Sequence, residues 1–249
     1  MYLRELMAGR VLPALLADRR LRPIDRTVYL RFHLHPLATI HAHATGAGIN
    51  DRTFRRAASR LLEHGWLYIG ERVGPGGSMI LVPWMPLTVE NEVANELQRI
   101  RNDVFYVGEW LMKCWLDLMV KELNVWENAR LPWAVAGDGS GRLEFDRWYP
   151  TWRVAVEFQG SQHFTTGTAF STTEEELRQQ KLRDNLKAGV CARNGVKLVE
   201  VRATELNYHA LRAKLADDLP LIPVRESGPL FVTMSQMSQA YVNHATRSR

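Results

Sequence analysis

The sequence predicts an α/β protein built in two parts: three helices and a β-hairpin first, then a small sheet whose strands alternate with helices. Two patterns carry that expectation. Residues 49–65, "INDRTFRRAASRLLEHG", repeat apolar positions at helical spacing and are followed by two strand-like runs around "GPGG". Further on, residues 142–148 and 153–159 alternate at period two, and a helical stretch across roughly 174–194 separates them from the strand "VKLVEV" at 196–201.

The first part begins with "PIDRTVYLRF", which opens on Pro23 and Asp25, and continues with "PLATIHAHATG", a short helix-compatible segment stopping at Gly46. In the third helix Asn50 or Asp51 can cap the N-terminus and Gly65 can end it. At about 100° per residue, Phe54, Ala57, Ala58, Leu61 and Leu62 share one side, while Arg52, Arg55, Arg56, Ser59 and Arg60 share the other. The runs "WLYIGERV" and "SMILVPW" then bracket a Gly/Pro tip. His33, His35, His41 and His43 lie close in sequence, but residues i and i+2 of a helix diverge by about 200°, so they read as surface or partly buried histidines.

Charge divides the chain at the same place. Residues 1–85 hold 12 Arg, no Lys and 6 acidic residues, a balance of +6; residues 86–249 hold 20 basic and 21 acidic residues, a balance of −1. A basic field confined to one part is the footprint of phosphate binding. No apolar run approaches the ~20 residues needed to span a bilayer. Glu5 sits where a signal peptide's early region would be, and two cysteines make no disulfide framework, so the expectation is a cytoplasmic protein with no membrane partner.

Helix, helix, helix, hairpin is the order of a winged helix-turn-helix, and "TFRRAASRLLEHGWLYIGERVGPGGS" resembles winged-helix DNA-binding domains over roughly residues 20–85. The resemblance implies that the helix carrying Arg52, Arg55, Arg56 and Arg60 meets DNA. The same fold also serves as a protein-contact module. Residues 86–105 read as a polar linker helix, residues 106–220 as the second domain, and residues 221–249 show no assignable pattern.

Within the second domain, alternation puts Ala155, Glu157 and Gln159 on one strand face and separates Asp146 from Leu143 and Phe145 on the neighbouring strand. Two carboxylates converging beside the turn at Tyr149-Pro150 repel each other, and a divalent cation removes that cost; hard oxygen ligands suit Mg²⁺, with Mn²⁺ as the alternative.

The run "FDRWYP…VAVEFQGSQHF…QQKLRDNLKAGVCARNGVKLVEV" resembles the PD-(D/E)XK nuclease superfamily, the restriction-endonuclease-like fold, in its very-short-patch-repair-type and mobile-element branch. It covers about residues 105–202. The resemblance implies that Asp146 and Glu157 bind the metal and that Glu109 in "VGEWLM" completes the set, although a solvated helix residue would look the same; His163 either shapes the turn after Gly160 or contacts the scissile phosphate, where it would bind DNA. The implied activity is Mg²⁺-dependent endonucleolytic hydrolysis of DNA. DNA is then the principal partner, with a homodimer or a larger mobile-element or defence complex also expected.

The chain departs from that pattern at Gln159, where the superfamily has a lysine. Either another cation substitutes or the site is inactive, which would leave a DNA-binding protein on a nuclease fold. Gln180, Asp184, Lys187 and Cys191 form one helical stripe, Leu182, Leu186 and Val190 another, and Lys181 points elsewhere. Lys187 is therefore the expected substitute, although an Asp184–Lys187 surface pair would give the same spacing.

Overall fold

The computed structural model describes residues 2–35, 38–72, 79–135, 141–160 and 174–247, a mixed α/β chain divided into two compact units. Unit 1 comprises Met1–Asp103, Asp117–Lys121 and Ile222–Met234; unit 2 comprises Val104–Leu116, Glu122–Leu221 and Ser235–Arg249. Among the described residues no helix is long and apolar enough to cross a membrane.

Unit 1 opens with α1 (Leu3–Ala17), α2 (Pro23–Leu34), α3 (Ile40–Gly46) and α4 (Asp51–Glu63). Asn50 caps α4 by accepting a hydrogen bond from the Thr53 amide at 2.9 Å. The helix stops at Gly65, whose φ of 75° is left-handed backbone that favours glycine. There the Trp66 amide reaches back to the Leu61 carbonyl at 2.8 Å and satisfies an otherwise open helix end. Phe54, Ala57, Ala58 and Leu61 are buried against Val28, Tyr29, Phe32 and Trp66. An antiparallel hairpin, β1 (Leu67–Arg72) and β2 (Met79–Pro83), follows directly; the expected tip at 74–77 lies outside the described residues.

Residues 86–105 are more than a polar linker. They form α5 (Leu87–Arg101), which buries Val89, Val93, Ala94 and Leu97, an apolar stripe at helical spacing, and belongs to unit 1. The unassigned C-terminal stretch supplies α9 (Pro229–Arg247).

Unit 2 is organised on a four-stranded sheet with the order β3-β4-β5-β6. β3 (Trp126–Val135), β4 (Arg142–Tyr149) and β5 (Val154–Gln159) pair antiparallel, and β6 (Lys197–Arg202) joins β5 in parallel after α7 (Glu174–Arg193) crosses over. α6 (Val107–Met119) and α8 (Tyr208–Leu215) complete the elements named in this part of the chain. β5 is buried almost throughout, Glu157 and Gln159 included, because helices cover both of its faces. On one side Val190 and Cys191 of α7 pack with Ala155 and Phe145; on the other Phe158 meets Tyr241 of α9 and lies against Gly108 of α6.

Candidate functional site

The β4–β5 ladder pairs Tyr149 with Val154, Trp148 with Ala155 and Arg147 with Val156. One residue beyond the last pair stand Asp146 and Glu157. Where the ladder stops, the Asp146 carboxylate takes over its role and accepts the Phe158 amide at 2.7 Å. From the other side α7 delivers Lys187, whose Nζ donates to Glu157 Oε2 at 2.8 Å and lies 5.7 Å from the centre of the Phe145 ring. The structure thus brings together Asp146, Glu157 and Lys187 from three separated stretches of sequence.

Glu157 is 6% exposed and Gln159 7%, and neither Glu157 Oε1 nor Gln159 Oε1 has a hydrogen-bond partner among the described residues. Burial raises the Asp146 carboxyl above the usual carboxylate range, and Glu109 raises it further; Lys113 and Lys187 oppose the shift. Burial likewise raises Glu157, with Asp146 adding to it and Lys187 opposing it. Burial also pushes the Cys191 thiol up to about 11, which keeps it protonated at neutral pH.

Glu109 stands in the first turn of α6, from where its charge acts on Asp146, and is held by a residue that the sequence reading did not single out. Lys113 is fully buried, and its Nζ contacts Glu109 Oε1 at 2.6 Å, Asn128 Oδ1 at 2.7 Å and Glu127 Oε2 at 3.4 Å. The signal was present: in "VGEWLMKCWLDLM" a lysine stands among Met, Cys and Trp, four residues after a glutamate.

Among the described residues no group of three His, Cys, Asp or Glu gathers as a metal-holding cluster. What fits a hard divalent ion is the Asp146–Glu157 pair: two raised carboxyls in a desolvated corner, where Glu157 Oε1 and the neighbouring Gln159 Oε1 have no donor among the described residues. Of the remaining residues singled out, His163 lies outside the described residues, as do the side chains of Gln180 and Lys181. Asp184 is half-buried.

On α4, Arg52, Arg55 and Arg56 are exposed, as the helical pattern predicts. Arg60 is not available in the same way. Its guanidinium grips the fully buried Asp25 of α2, with Nη2 at 2.5 Å and Nε at 3.0 and 3.1 Å from the carboxylate oxygens. A buried carboxylate demands such a partner, so Arg60, expected from the sequence as a DNA contact, is engaged inside the fold as a clasp between α2 and α4. The histidines also separate: His43 is buried between Phe32 and Phe54, and burial lowers it to about 4, whereas His41 pairs with Asp51 at 3.2 Å on the surface.

No protein-family model and no solved structure matches the chain. Curated relatives are viral. The chain is 37% identical over 67 residues to an uncharacterized protein of Invertebrate iridescent virus 6, covering 27% of the chain and 34% of that protein. It is 40% identical over 62 residues to one of Invertebrate iridescent virus 3, covering 25% of the chain and 32% of that protein. To one of Frog virus 3 it is 34% identical over 79 residues, covering 31% of the chain and 51% of that protein. The similar stretches span about a third to about a half of the length of these relatives.

Proposed function

We propose that the chain is a divalent-metal-dependent DNA endonuclease of the PD-(D/E)XK type, anchored on DNA by a winged helix-turn-helix in unit 1. The observation that carries this reading is the meeting of Asp146, Glu157 and Lys187 at one buried corner where β4 and β5 separate. Three helices before a hairpin, with the arginine-bearing α4 immediately preceding β1, support the winged-helix part.

Asp146 and Glu157 would hold Mg²⁺ or Mn²⁺, with Glu109 beside them, and the ion would supply an activated water and neutralise phosphate charge. The remaining work belongs to the chain's own groups. The Lys187 ammonium, anchored on Glu157 Oε2, is placed to balance negative charge that develops on a phosphate. The Gln159 amide can donate a hydrogen bond but no charge. Exposed Arg52, Arg55 and Arg56 would bind phosphates and supply most of the affinity.

Gln159 at the position of the expected lysine favours a second reading, a DNA-binding protein that no longer cleaves. Incubation of supercoiled plasmid with the full chain and Mg²⁺ or Mn²⁺ separates the two. The endonuclease reading expects nicked or linear product, lost in Asp146→Ala and Glu157→Ala while DNA binding persists. Shifted but uncut plasmid in both metals would establish the second reading.

A further inference from the structure

A helix on the surface of a folded unit turns polar residues to the solvent, and α1 does not. Leu3, Leu6 and Leu15 are buried, as its core-facing side requires. The solvent side carries Ala8, Gly9, Leu12, Pro13 and Leu16, all exposed, with Leu12 at 46% and Leu16 at 60%. At about 100° per residue Ala8, Gly9, Leu12 and Leu16 share one stripe, which Glu5 continues toward the N-terminus. Gly9 leaves a gap in that stripe: a side chain there would meet nothing within 4 Å among the described residues. Gly9 and Pro13 are also poor residues for a helix interior. Glycine loosens the backbone, and proline has no amide to give the Gly9 carbonyl. The outward residues of α1 therefore do not serve the helix itself.

What they do fit is a second copy of the same stripe. With two α1 helices antiparallel about a twofold axis between Leu12 and Pro13, Leu16 of each copy comes opposite the partner's Gly9. Ala8 then faces the partner's Ala17, and Glu5 faces the partner's Arg20. Leu16 has the gap at Gly9 to enter, and the alanines allow close approach. The charges match as well. Glu5 and Arg20 are both exposed, and Asp18 holds the Arg20 guanidinium in place at 2.7 and 2.8 Å. A parallel pair would instead set Glu5 against Glu5 and gap against gap. The C-terminal end of the stripe is fixed in advance: Arg26 of α2 donates to the carbonyls of Leu15, Leu16 and Asp18 at 3.0–3.1 Å. We propose that α1 is the self-association surface of this chain and joins two copies in an isologous, antiparallel dimer. The dimer does not depend on the metal corner. On the winged-helix reading it would present α4 twice, as a twofold-symmetric DNA site requires.

Sedimentation equilibrium of the full chain, without DNA or metal, tests the dimer. The wild type should approach twice its monomer mass of 28.5 kDa at micromolar concentrations, and a 28.5 kDa species throughout overturns the proposal. Leu16→Glu places a carboxylate against the partner's Gly9 and should weaken association at least about 10-fold. Gly9→Gln fills the gap and should weaken it by a similar factor. Because glutamine is the better helix former, this variant should melt no lower than wild type when both are diluted to monomers, which separates a lost interface from a damaged fold. Wild-type association in either variant overturns the proposal. Cross-linking then checks the register under a mild oxidant, with both native cysteines buried. Leu12→Cys lies beside the axis and should give a thiol-reversible dimer. Ala8→Cys should not link, since its two copies would stand about 13 Å apart along the helices. Linking at both positions marks a parallel pair, and linking at neither marks another surface; any pattern but the expected one overturns the proposal.

Discussion

Replacing Arg60 with alanine distinguishes an internal clasp from a DNA contact. In the folded chain the Asp25 carboxylate is fully buried and receives three guanidinium contacts from Arg60, together with the Arg22 amide at 2.8 Å. Alanine at position 60 removes the charge and leaves Asp25 with that amide. Breaking one side of a buried pair costs about 3–5 kcal/mol. The Arg60 side chain is 24% exposed, so water can reach the vacated space, and about 3 kcal/mol is the appropriate end of that range. For a chain of this size that corresponds to a fall of roughly 6–12 °C in the thermal midpoint. Tryptophan fluorescence is a suitable reporter, since Trp66 packs edge-on against Tyr29 in the same core. Removing both partners, as in Asp25→Leu/Arg60→Met, should recover most of the loss, because no buried charge is then stranded. DNA affinity of folded Arg60→Ala should keep the wild-type dependence on salt. An unchanged midpoint together with a flatter salt dependence would refute the clasp and return Arg60 to the DNA face.

Arg55→Ala and Arg56→Ala should behave in the opposite way, with an unchanged midpoint and a salt slope of log K flatter by roughly 0.9 per lost phosphate contact; unchanged slopes in both would remove α4 as the DNA anchor. Lys187→Ala should lower the cleavage rate on the order of 10²-fold in a single-turnover plasmid assay without weakening Mn²⁺ binding, whereas wild-type turnover would leave Lys187 without a catalytic role. Asp146 and Glu157 are both raised above their ordinary values, so the folded state holds protons that the unfolded chain has already released. Without divalent ion, stability should therefore fall as pH rises from about 4 through neutrality, and saturating Mn²⁺ should flatten that dependence; denaturant titrations across this range with the opposite slope would contradict the burial of the pair.

Much of this was readable because local pattern and tertiary role coincide. The α4 faces follow from helical period alone, and Asn50 and Gly65 mark its ends as the caps in the structure do. The convergence of Lys187 on Glu157 follows the helical spacing only in part: Leu186 and Val190 of the apolar stripe meet the core, but Leu182 is exposed and Cys191 of the polar stripe is buried. β3 was not legible. "WENARLPWAV" carries Pro132 and scattered charges, tolerable on an edge strand whose register shifts between Arg130 and Val135. Nor could sequence spacing reveal that Arg60 turns to Asp25, a residue 35 positions away, although period alone placed it on the polar side. The Lys113 contacts were hidden for the same reason: they join α6 to β3, and only the pair of Glu109 with Lys113 is local in sequence.

The glutamine at 159 becomes intelligible once the charges of the corner are set against one another. Fully ionised, Asp146 and Glu157 with Glu109 would bring three negative charges against the two positive ones of Lys113 and Lys187, each already in contact with a carboxylate. Glu127 and Arg147 pair with each other at the margin. Without an ion, burial and mutual repulsion relieve that surplus by holding protons on Asp146 and Glu157, and a divalent ion would take their place. A lysine at 159, a residue 7% exposed, would need a carboxylate partner of its own or remain a buried cation without one. Glutamine fills the same volume, contributes a dipole and leaves the attraction for a cation intact. On the nuclease reading proposed above, Gln159 and Lys187 are linked: the cation that the superfamily carries on the strand would be supplied from α7. On that reading, with Lys187 entering from α7 onto Glu157, a neutral residue at 159 avoids a second buried cation.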